Sequence, residues 1–575
     1  MGFQLSSVLS WLLGPETAEP PDRPLHLWPR WLFLRAIGII YFSAFYSLEF
    51  QIKGLIGTDG ILPAGQYLQS LGQYFAGTQR FWYAPSMLWL GSGNRALEIL
   101  CWAGLLASLL LIFNLWPRAT LLICFVAFLS FVSVAQDFSG YQSDGMLLEA
   151  GFICLFFAPP GLRPGLGRAH PPSRASFYLL RWEWFRIYFE SGVVKLASGD
   201  ISWRHLTAMD DYYQNGPLPT WLGWYVQQLP HWFHASTTVL TLSVELVVVW
   251  MLFLPRRFRI ILFCIVTPFE IAIILTANYA FLNYLVLSLG ILLLDDKFLD
   301  AVLPERVRQF FAERNAGAGA AAPAQPANSP SPISPATNST VATPPTAWFT
   351  KLRSGTEITR IALSGILFVW IFYATSAALL GMLVGALPLP DKPITLLEPF
   401  RIADRYGLFA VMTHERYEIE FQGSRDGKTW IPYPFRYKPQ DLSGSPGIYA
   451  PYQPRFEWNL WFASLGGWRG YPWVVYTEER LMNNSPDVLE LFAKDPFDGS
   501  PPQEIRAVIW QYWFTDLKTK RVTGTWWRRE MRGLYCPPLI REPDGKIGVD
   551  ESPSVAPSVP NAPNTPDAPS VPDER

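Results

Sequence analysis

The chain has 575 residues, of which 50% are hydrophobic, 15% are aromatic and only 16% are charged. Soluble domains carry about 25% charged residues, and disordered chains carry few aromatics, so neither class describes the whole chain. Its 46 basic and 47 acidic residues nearly cancel, which gives no basis for binding nucleic acid. Five cysteines without a CxxC motif do not indicate a disulfide scaffold or a cysteine metal site. A polytopic membrane protein with a sizeable aqueous portion remains.

Nine apolar stretches approach the roughly 20 residues that an α-helix needs to cross a bilayer. They are predicted at 31–48, 97–116, 119–134, 146–158, 177–196, 237–254, 260–276, 279–294 and 361–387. The fourth stretch is short, and the fifth contains several charges. If the fifth stretch instead lies in the interface, eight spans remain and the C-terminal domain moves to the cytoplasmic side, unless the fourth also fails to cross.

Basic residues predict the orientation, because short cytoplasmic loops are enriched in Lys and Arg. They gather at 163–174, 256–259 and 297–353, all of which connect an even-numbered span to the next one. The N-terminus is therefore predicted in the cytoplasm and the C-terminus in a lumen or periplasm.

The predicted organisation follows from these spans. Its parts are a cytoplasmic N-terminal segment (1–30), a helical membrane domain (31–314) with outward loops (49–95, 136–145 and 199–235), a disordered Ala/Pro/Ser/Thr-rich linker (315–346), a lead-in with the last span (347–387), an extracytoplasmic β-rich domain (388–545) and a disordered tail (546–575).

The C-terminal domain is predicted as a sandwich-like fold. Residues 417–421 alternate in polarity, which is typical of a half-buried strand, and 423–427 is a turn sequence before a returning strand at 429–433. Further strands are predicted at 505–514 and 521–529, with short helices at 458–465 and 486–493, the second opened by Ser485. The domain is rich in tryptophan, and the candidates for binding exposed apolar segments of a client protein are Trp458, Trp461, Trp526 and Trp527. The alternative is that they form a core and a face resting on the membrane interface.

The charges of the fifth stretch are Arg181, Glu183, Arg186, Glu190 and Lys195. Because a charge at the bilayer centre costs at least about 2.5 kcal/mol on insertion scales, these side chains are expected to face the bundle interior and to pair. Arg186 and Glu190 lie four residues apart and share a helix face. The cluster either holds the bundle in register through ion pairs or lines a polar cavity for a lipid, a cofactor or a proton.

A second candidate site lies in and beside the outward loops. Its members are Tyr141, Asp144, Glu149, Trp203, His205, Asp210 and Asp211. No spacing demands a metal, and none is expected. Trp203, Trp221, Trp224 and Trp232 are expected at the membrane surface as anchors. The sequence holds no GxGxxG, P-loop, GxSxG or HExxH motif, so no catalytic residue is assigned.

Several long motifs resemble the lipase maturation factor family. They are QIKGLIGTDGILPA (51–64), YQSDGMLLEAGF (141–152), SGVVKLASGDISWRHLTAMDDYYQNGPLPTW (191–221), RYGLFAVMT (405–413), EIEFQGSRDGKTW (418–430), YKPQD (437–441), QPRFEWNLWFA (453–463) and GTWWRRE (524–530). The membrane half is also distantly similar, in its span arrangement, to the membrane core of the vitamin K-dependent carboxylases.

The family resemblance implies a multi-pass membrane protein that helps secreted lipases to fold, by chaperone-like contact and without a known catalytic residue or cofactor. Its partners would be membrane lipids and a secreted lipase or hydrolase client. It would reside in the endoplasmic reticulum of a eukaryote, or in the cytoplasmic membrane of a bacterium with its C-terminal domain in the periplasm. The alternative is a membrane enzyme that acts on a lipid or a quinone-like cofactor in the bundle.

Overall fold

The computed structural model describes residues 26–306, 347–385 and 388–549. The predicted linker at 315–346, most of the N-terminal segment and the tail from residue 550 lie outside the described residues.

The membrane domain is built from long helices that follow the predicted apolar stretches. Their bounds are α1 Leu27–Glu49, α2 Asn94–Ile112, α3 Pro117–Val132, α4 Gln142–Phe157, α5 Arg174–Ala197, α6 His231–Leu246, α7 Arg256–Thr276, α8 Leu282–Gly290 and α9 Ala347–Val384. A 3₁₀ turn extends α6 through Val248–Phe253, and another extends α8 through Ile291–Leu293. Each of the nine predicted stretches therefore coincides with a helix.

Five of these helices are long and apolar enough to cross a membrane within the described ranges, which makes the chain a multi-pass membrane protein. They are α1, α2, α6 with its 3₁₀ extension, α7 and the 362–384 part of α9. The apolar helices α3 and α8 are shorter. Helix α4 has 16 residues, and α5 is long but carries the predicted charges.

Successive helices run in opposite directions, as contacts at the two ends of the bundle show. At one end, Arg30 of α1 donates to the carbonyl of Leu166, which follows α4, at 2.7 Å. At the other end, Gln51 after α1 donates to the carbonyl of Gln453 at 2.9 Å, and Asn94 at the start of α2 donates to Asp487. The C-terminal domain therefore packs on the end of the bundle opposite the basic turns.

Short helices occupy the connections and the domain surfaces. They are Ile52–Ile56, Ala64–Tyr74, Gln79–Tyr83, Ile201–Arg204, Ala208–Asn215, Trp221–Gln227, Asp296–Val302, Lys392–Thr395, Pro486–Leu489 and Leu517–Thr523. Single 3₁₀ turns lie at Met87–Leu90, Gln136–Ser139, Glu398–Phe400 and Trp468–Gly470.

The C-terminal domain contains one antiparallel sheet of six strands in the order β2-β1-β3-β5-β6, with β4 paired to β3. The strands are β1 Arg416–Ser424, β2 Ile431–Pro432, β3 Glu504–Phe514, β4 Trp527–Leu534, β5 Leu539–Arg541 and β6 Ile547–Val549. Helices α10 (Arg455–Ser464) and α11 (Trp473–Met482) cover one face. The described strands form a single sheet covered by helices, so the predicted sandwich-like fold is not confirmed.

The predicted alternation of β1 is confirmed, but its polar face is not exposed to water. Ile419 and Phe421 enter the core beside α10, whereas Glu418 and Glu420 on the opposite face are only 2% and 3% exposed. Glu418 forms an ion pair with Lys438 at 2.5 Å. The alternation therefore separates an apolar core from a buried ionic layer.

The prediction of a strand at 521–529 is wrong in its first half. A helix occupies Leu517–Thr523, capped at its start by the Asp516 carboxylate and ended by Gly524, whose positive φ of 76° suits glycine. The domain also runs past residue 545, because β6 pairs with β5. The helix predicted at 486–493 ends at Leu489, and the Ser485 hydroxyl bonds the carbonyl of Asp59 instead of capping it.

Candidate functional site

The charges of α5 meet an irregular stretch of chain, residues 404–414, which connects the membrane domain to β1 and is called the docking segment here. Its backbone forms neither helix nor strand, so its N–H and carbonyl groups need other partners. Arg186 donates to the carbonyl of Asp404 at 2.8 Å, and Glu190 accepts from the Tyr406 backbone N–H at 2.7 Å. Polar side chains of the bundle thus supply the bonds that the segment lacks.

The centre of this contact is a fully buried ionic cluster. Arg186 forms an ion pair with Glu149 of α4, and its Nη1 lies 4.0 Å from Glu190 Oε1. The Tyr406 hydroxyl donates to the second oxygen of Glu149 at 2.7 Å. The side chains of Arg186, Glu149 and Glu190 are at most 1% exposed. The predicted Arg186–Glu190 pairing is therefore confirmed, and Glu149 joins it.

Lys195 forms a second contact one turn beyond the cluster. Its Nζ donates to Glu245 of α6 at 2.8 Å and to the carbonyl of Leu408 at 2.9 Å, and it lies 5.1 Å from the Trp203 ring centre. Ser191 accepts from the Leu408 backbone N–H at 3.2 Å. One lysine thus joins α5, α6 and the docking segment.

The rest of the docking segment is bound in the same way. Further bonds join Gly407 to Gln142, Phe409 to Trp203, Ala410 to Ser198, Met412 to Asp200, Thr413 to Asn215 and His414 to Asp211, at 2.7–3.1 Å. At its start, an added Cβ on Gly145 would lie 1.8 Å from Asp404 Oδ2, so only glycine admits this approach. Along its length, the segment is fixed to the bundle end.

The two remaining charges of α5 do not take part in these bonds. Arg181 donates to the carbonyl of Leu292, after α8, with two nitrogens at 2.6 and 2.8 Å. Glu183 faces the interior as expected and is fully buried, but it forms no ion pair with the described residues, so the expectation that it pairs is not confirmed.

A separate buried ion pair ties α10 to the bundle and is called the Arg455 anchor here. Arg455 binds both carboxylate oxygens of Asp144, at 2.7 and 2.8 Å, and neither side chain is exposed. Arg455 also donates to the carbonyl of Phe138, and Tyr141 donates to the carbonyl of Arg455. Asp144 lies in the first turn of α4 rather than in a loop.

A cavity of about 410 Å³ lies beside Lys195, between α5, α6, α7 and α8. Its wall is mostly apolar, with Lys195, Glu245 and Glu270 as its charged members. Glu270 accepts from the Tyr188 hydroxyl at 2.5 Å and from Asn283 at 2.8 Å. Leu408 and Phe409 of the docking segment also line the cavity.

Comparison with known proteins matches both the membrane domain and the C-terminal domain to family models. Residues 28–301 match a family model described as the lipase maturation factor transmembrane domain, and residues 402–537 match the lipase maturation factor C-terminal domain. The chain belongs to the lipase maturation factor family. The docking segment and the Arg455 anchor thus join the two regions that define the family.

Curated relatives align with nearly the whole chain. Lipase maturation factor 2 of Gallus gallus is 31% identical over 89% of this chain and 80% of its own length. Lipase maturation factor 1 of Bos taurus is 30% identical over 92% and 94%, and that of Homo sapiens is 29% identical over 92% of each chain. No solved structure matches the chain.

In this member of the lipase maturation factor family, the predicted outward-loop candidates do not form one site. Tyr141 and Asp144 belong to the Arg455 anchor, Glu149 belongs to the ionic cluster, and Trp203 is buried over Lys195. The others lie apart: Asp210 contacts His231, Asp211 contacts His414, and His205 is exposed. The described residues contain no group of three or more potential metal ligands.

Most of the predicted client-binding tryptophans pack or hydrogen-bond within the protein. Trp458 and Trp527 are 6% and 2% exposed, and Trp461 donates to the carbonyl of Asn215 at 2.9 Å. Trp526 is half-buried and accepts Trp224 Nε1 at its carbonyl. Trp458 and Trp527 therefore fill core positions in this conformation and do not form an exposed binding surface.

The expectation that four tryptophans lie at the membrane surface as anchors is wrong for Trp203 and Trp224. Trp221 and Trp232 are 40% and 69% exposed, but Trp203 and Trp224 are 2% and 0% exposed. Trp224 packs against the C-terminal sheet beside Phe514. A large apolar ring with one N–H suits a domain interface as well as a lipid interface, so composition did not distinguish the two.

Sequence reasoning missed the docking segment and the Arg455 anchor. The available signal was the unmatched charge of α5 together with the motif at 405–413, whose backbone binds Glu190 and Lys195, while Arg186 binds the carbonyl of Asp404 just before it. Both terminal nitrogens of Arg186 and both carboxylate oxygens of Glu149 are already hydrogen-bonded in these contacts. The arrangement therefore fixes the position of the docking segment, while Glu183 and Glu190 Oε1 accept no hydrogen bond from the described residues.

Proposed function

We propose that this chain assists the maturation of a secreted lipase, or of another exported hydrolase, by holding a client-binding domain at the membrane surface. The relatives named above carry the name Lipase maturation factor and align with most of the chain. The observation that carries the proposal is the docking of the C-terminal domain through buried charges at both the docking segment and the Arg455 anchor. A domain fixed in this way presents one constant surface to a client.

The orientation that suits this function has nine crossings, with the C-terminal domain in the lumen of the endoplasmic reticulum or in the periplasm. Alternation of the helices supports it, as do the basic residues at the opposite end of the bundle. Arg118 and Arg256 lie there, bonded to the carbonyl of Ala158 and to Asp295, respectively. The positive-inside rule assigns such an end to the cytoplasm.

The client surface that the structure favours lies beside the C-terminal sheet. Trp221, Tyr225, Leu229 and Trp232 are 40–69% exposed within one short stretch. The Tyr225 ring centre lies 6.1 Å from that of half-buried Trp526, which links this outer aromatic patch to the domain. Exposed aromatic side chains supply large contact area for chaperone-like binding of unfolded apolar segments, and such weak contact requires neither a cofactor nor a catalytic group.

The test is to express the chain with a secreted lipase in cells that lack a maturation factor of their own. Lipase activity per mass of secreted lipase should rise over cells with an empty vector. The double variant Trp221→Ala/Tyr225→Ala should lose most of this gain, because each aromatic anchor of an interface contributes about 2 kcal/mol.

The matched control is Trp82→Ala/Tyr83→Ala, which removes aromatics that are 41% and 55% exposed elsewhere. Both variants should reach the membrane in equal amounts. An unchanged lipase activity with the wild-type chain would refute the proposed role. A loss that is equal in the two double variants would refute the assignment of the outer aromatic patch.

A further inference from the structure

The cavity beside Lys195 has an apolar wall and a defined polar end. Ile187, Val244, Ile265, Phe269, Leu282 and Val286 line it, and its volume of about 410 Å³ lies within the usual range for small-molecule sites. Lys195 and Glu245 lie at the end covered by Leu408 of the docking segment. This combination is typical of a site for an amphiphile that places its head under the segment and its tail between the helices.

The cavity is bordered by the two helices whose surfaces are most open to lipid. Only 28% of the apolar window of α6 and 17% of that of α7 are buried in the protein, compared with 61% in α1. Leu240 of α6 is 50% exposed and Pro268 of α7 is exposed, and both line the cavity. Pro268 has no backbone N–H for the preceding helical turn, which weakens α7 at this level. The cavity wall therefore reaches the exposed surface of both α6 and α7.

The polar end defines the chemistry of the head. Lys195 and Glu245 pair with each other, so an anionic head would meet no unpaired cation among the described residues of the wall, and a cationic head could not accept a bond from Lys195. Glu245 is only 8% exposed, and its Oε2 is buried and accepts no hydrogen bond from the described residues. Glu245 Oε2 therefore lacks one hydrogen-bond donor. The neighbouring Lys195 ammonium uses two of its three N–H groups, and the third can donate to an acceptor. A hydroxyl group supplies both functions without charge.

We propose that this cavity binds a neutral lipid with a free hydroxyl head, of the monoacylglycerol class, which enters from the bilayer between α6 and α7. The hydroxyl donates to Glu245 Oε2 and accepts from Lys195, and the acyl chain lies along the apolar wall. Because Lys195 also bonds the Leu408 carbonyl, the bound head contacts the residues that hold the docking segment. This binding is independent of the lipase role proposed above.

The experiment uses the full chain in phosphatidylcholine nanodiscs and a monoacylglycerol with a diazirine in its acyl chain. After irradiation, mass spectrometry should place the label on peptides of α6 and α7 that line the cavity. Unlabelled monoacylglycerol should reduce the labelling about tenfold when its concentration exceeds the dissociation constant by a similar factor. The corresponding free fatty acid at the same mole fraction should have little effect. Equal competition by the fatty acid, or equal labelling of all lipid-facing helices, would overturn the proposal.

A pair of neighbouring variants locates the site. Ala272→Trp places a large ring in the cavity wall at an exposed position, so it should abolish most labelling without disturbing the core. Ile271→Trp is the control, because Ile271 is 42% exposed and does not line the cavity. Labelling that survives in Ala272→Trp, or that is lost equally in both variants, would contradict binding at this cavity.

Discussion

Two of the buried attachments between the C-terminal domain and the bundle distribute their charges differently. The Arg455 anchor concentrates its ionic contact in one guanidinium and one carboxylate, Asp144. The docking segment spreads its contact over Arg186, Glu190 and Lys195, which bond mainly to backbone groups. A concentrated attachment depends on every member, whereas a distributed one loses a fraction of its bonds with each substitution. The anchor should therefore be the more sensitive of the two.

The largest effect is expected at the anchor. Arg455→Met leaves the fully buried Asp144 without its partner, and breaking such a pair costs about 3–5 kcal/mol. Thermal unfolding in detergent micelles, together with protease release of the C-terminal domain, measures the loss. The matched variant Arg455→Met/Asp144→Leu removes both charges and should regain most of the stability. Wild-type stability in Arg455→Met alone would show that the pair is not essential to docking.

A smaller effect is expected in the docking segment. Tyr406→Phe removes the hydroxyl donor to Glu149 Oε2, but Arg186 remains paired to the other oxygen. The expected cost is about 1–3 kcal/mol, the penalty for a buried acceptor left without its donor. Tyr476→Phe, at a position 43% exposed, serves as the control for the loss of a phenol. The same unfolding assay applies, and a loss as large as that of Arg455→Met would contradict the distributed nature of this attachment.

The smallest effect concerns a charge that is exposed, in contrast to both attachments. Asp426 in the β1–β2 turn accepts backbone N–H bonds from Lys428 and Thr429, which lower the pKa of its carboxyl from 3.8 to about 2. Because the folded pKa is the lower one, this contribution is fully present above pH 3.8 and is lost as the pH falls through about 2. Unfolding temperatures measured between pH 5 and pH 2 should fall slightly less in Asp426→Asn than in the wild type. An equal fall in both proteins would show that the turn bonds do not depend on the ionised carboxyl.

The parts of the fold that depend on local pattern were predictable. The apolar stretches predicted the long membrane helices, and the alternation at 417–421 predicted β1. The pattern could not show that Glu418 and Glu420 face a second buried layer, because their partners Lys438 and Arg529 come from distant turns and strands. An alternating pattern predicts that a strand has one apolar face and one polar face. It does not predict whether the polar face is exposed to water.

The charged residues of the candidate site could be predicted from the sequence, but the backbone groups that they bind could not. The cost of charge in a bilayer led to the expectation that Arg186 and Glu190 face inward and pair, and they do. Their backbone partners lie more than 200 residues away, in a segment without periodic pattern. The prediction of four client-binding tryptophans rests on composition alone. Composition does not distinguish Trp527 in the core from Trp221 at the surface.

The long sequence separation within the docking contact imposes an order on biosynthesis. Arg186 can pair with Glu149 as soon as α5 is made, and Lys195 can pair with Glu245 after 50 more residues. Glu190 receives its backbone donor from Tyr406, 216 residues later, and at about 5–20 residues per second this takes roughly 10–40 s of synthesis. During that interval Glu190 has Arg186 beside it but lacks the backbone donor of the docking segment. Synthesis of the docking segment therefore supplies the last partners of the buried charges of α5, and a chain that ends before residue 404 leaves those charges without them.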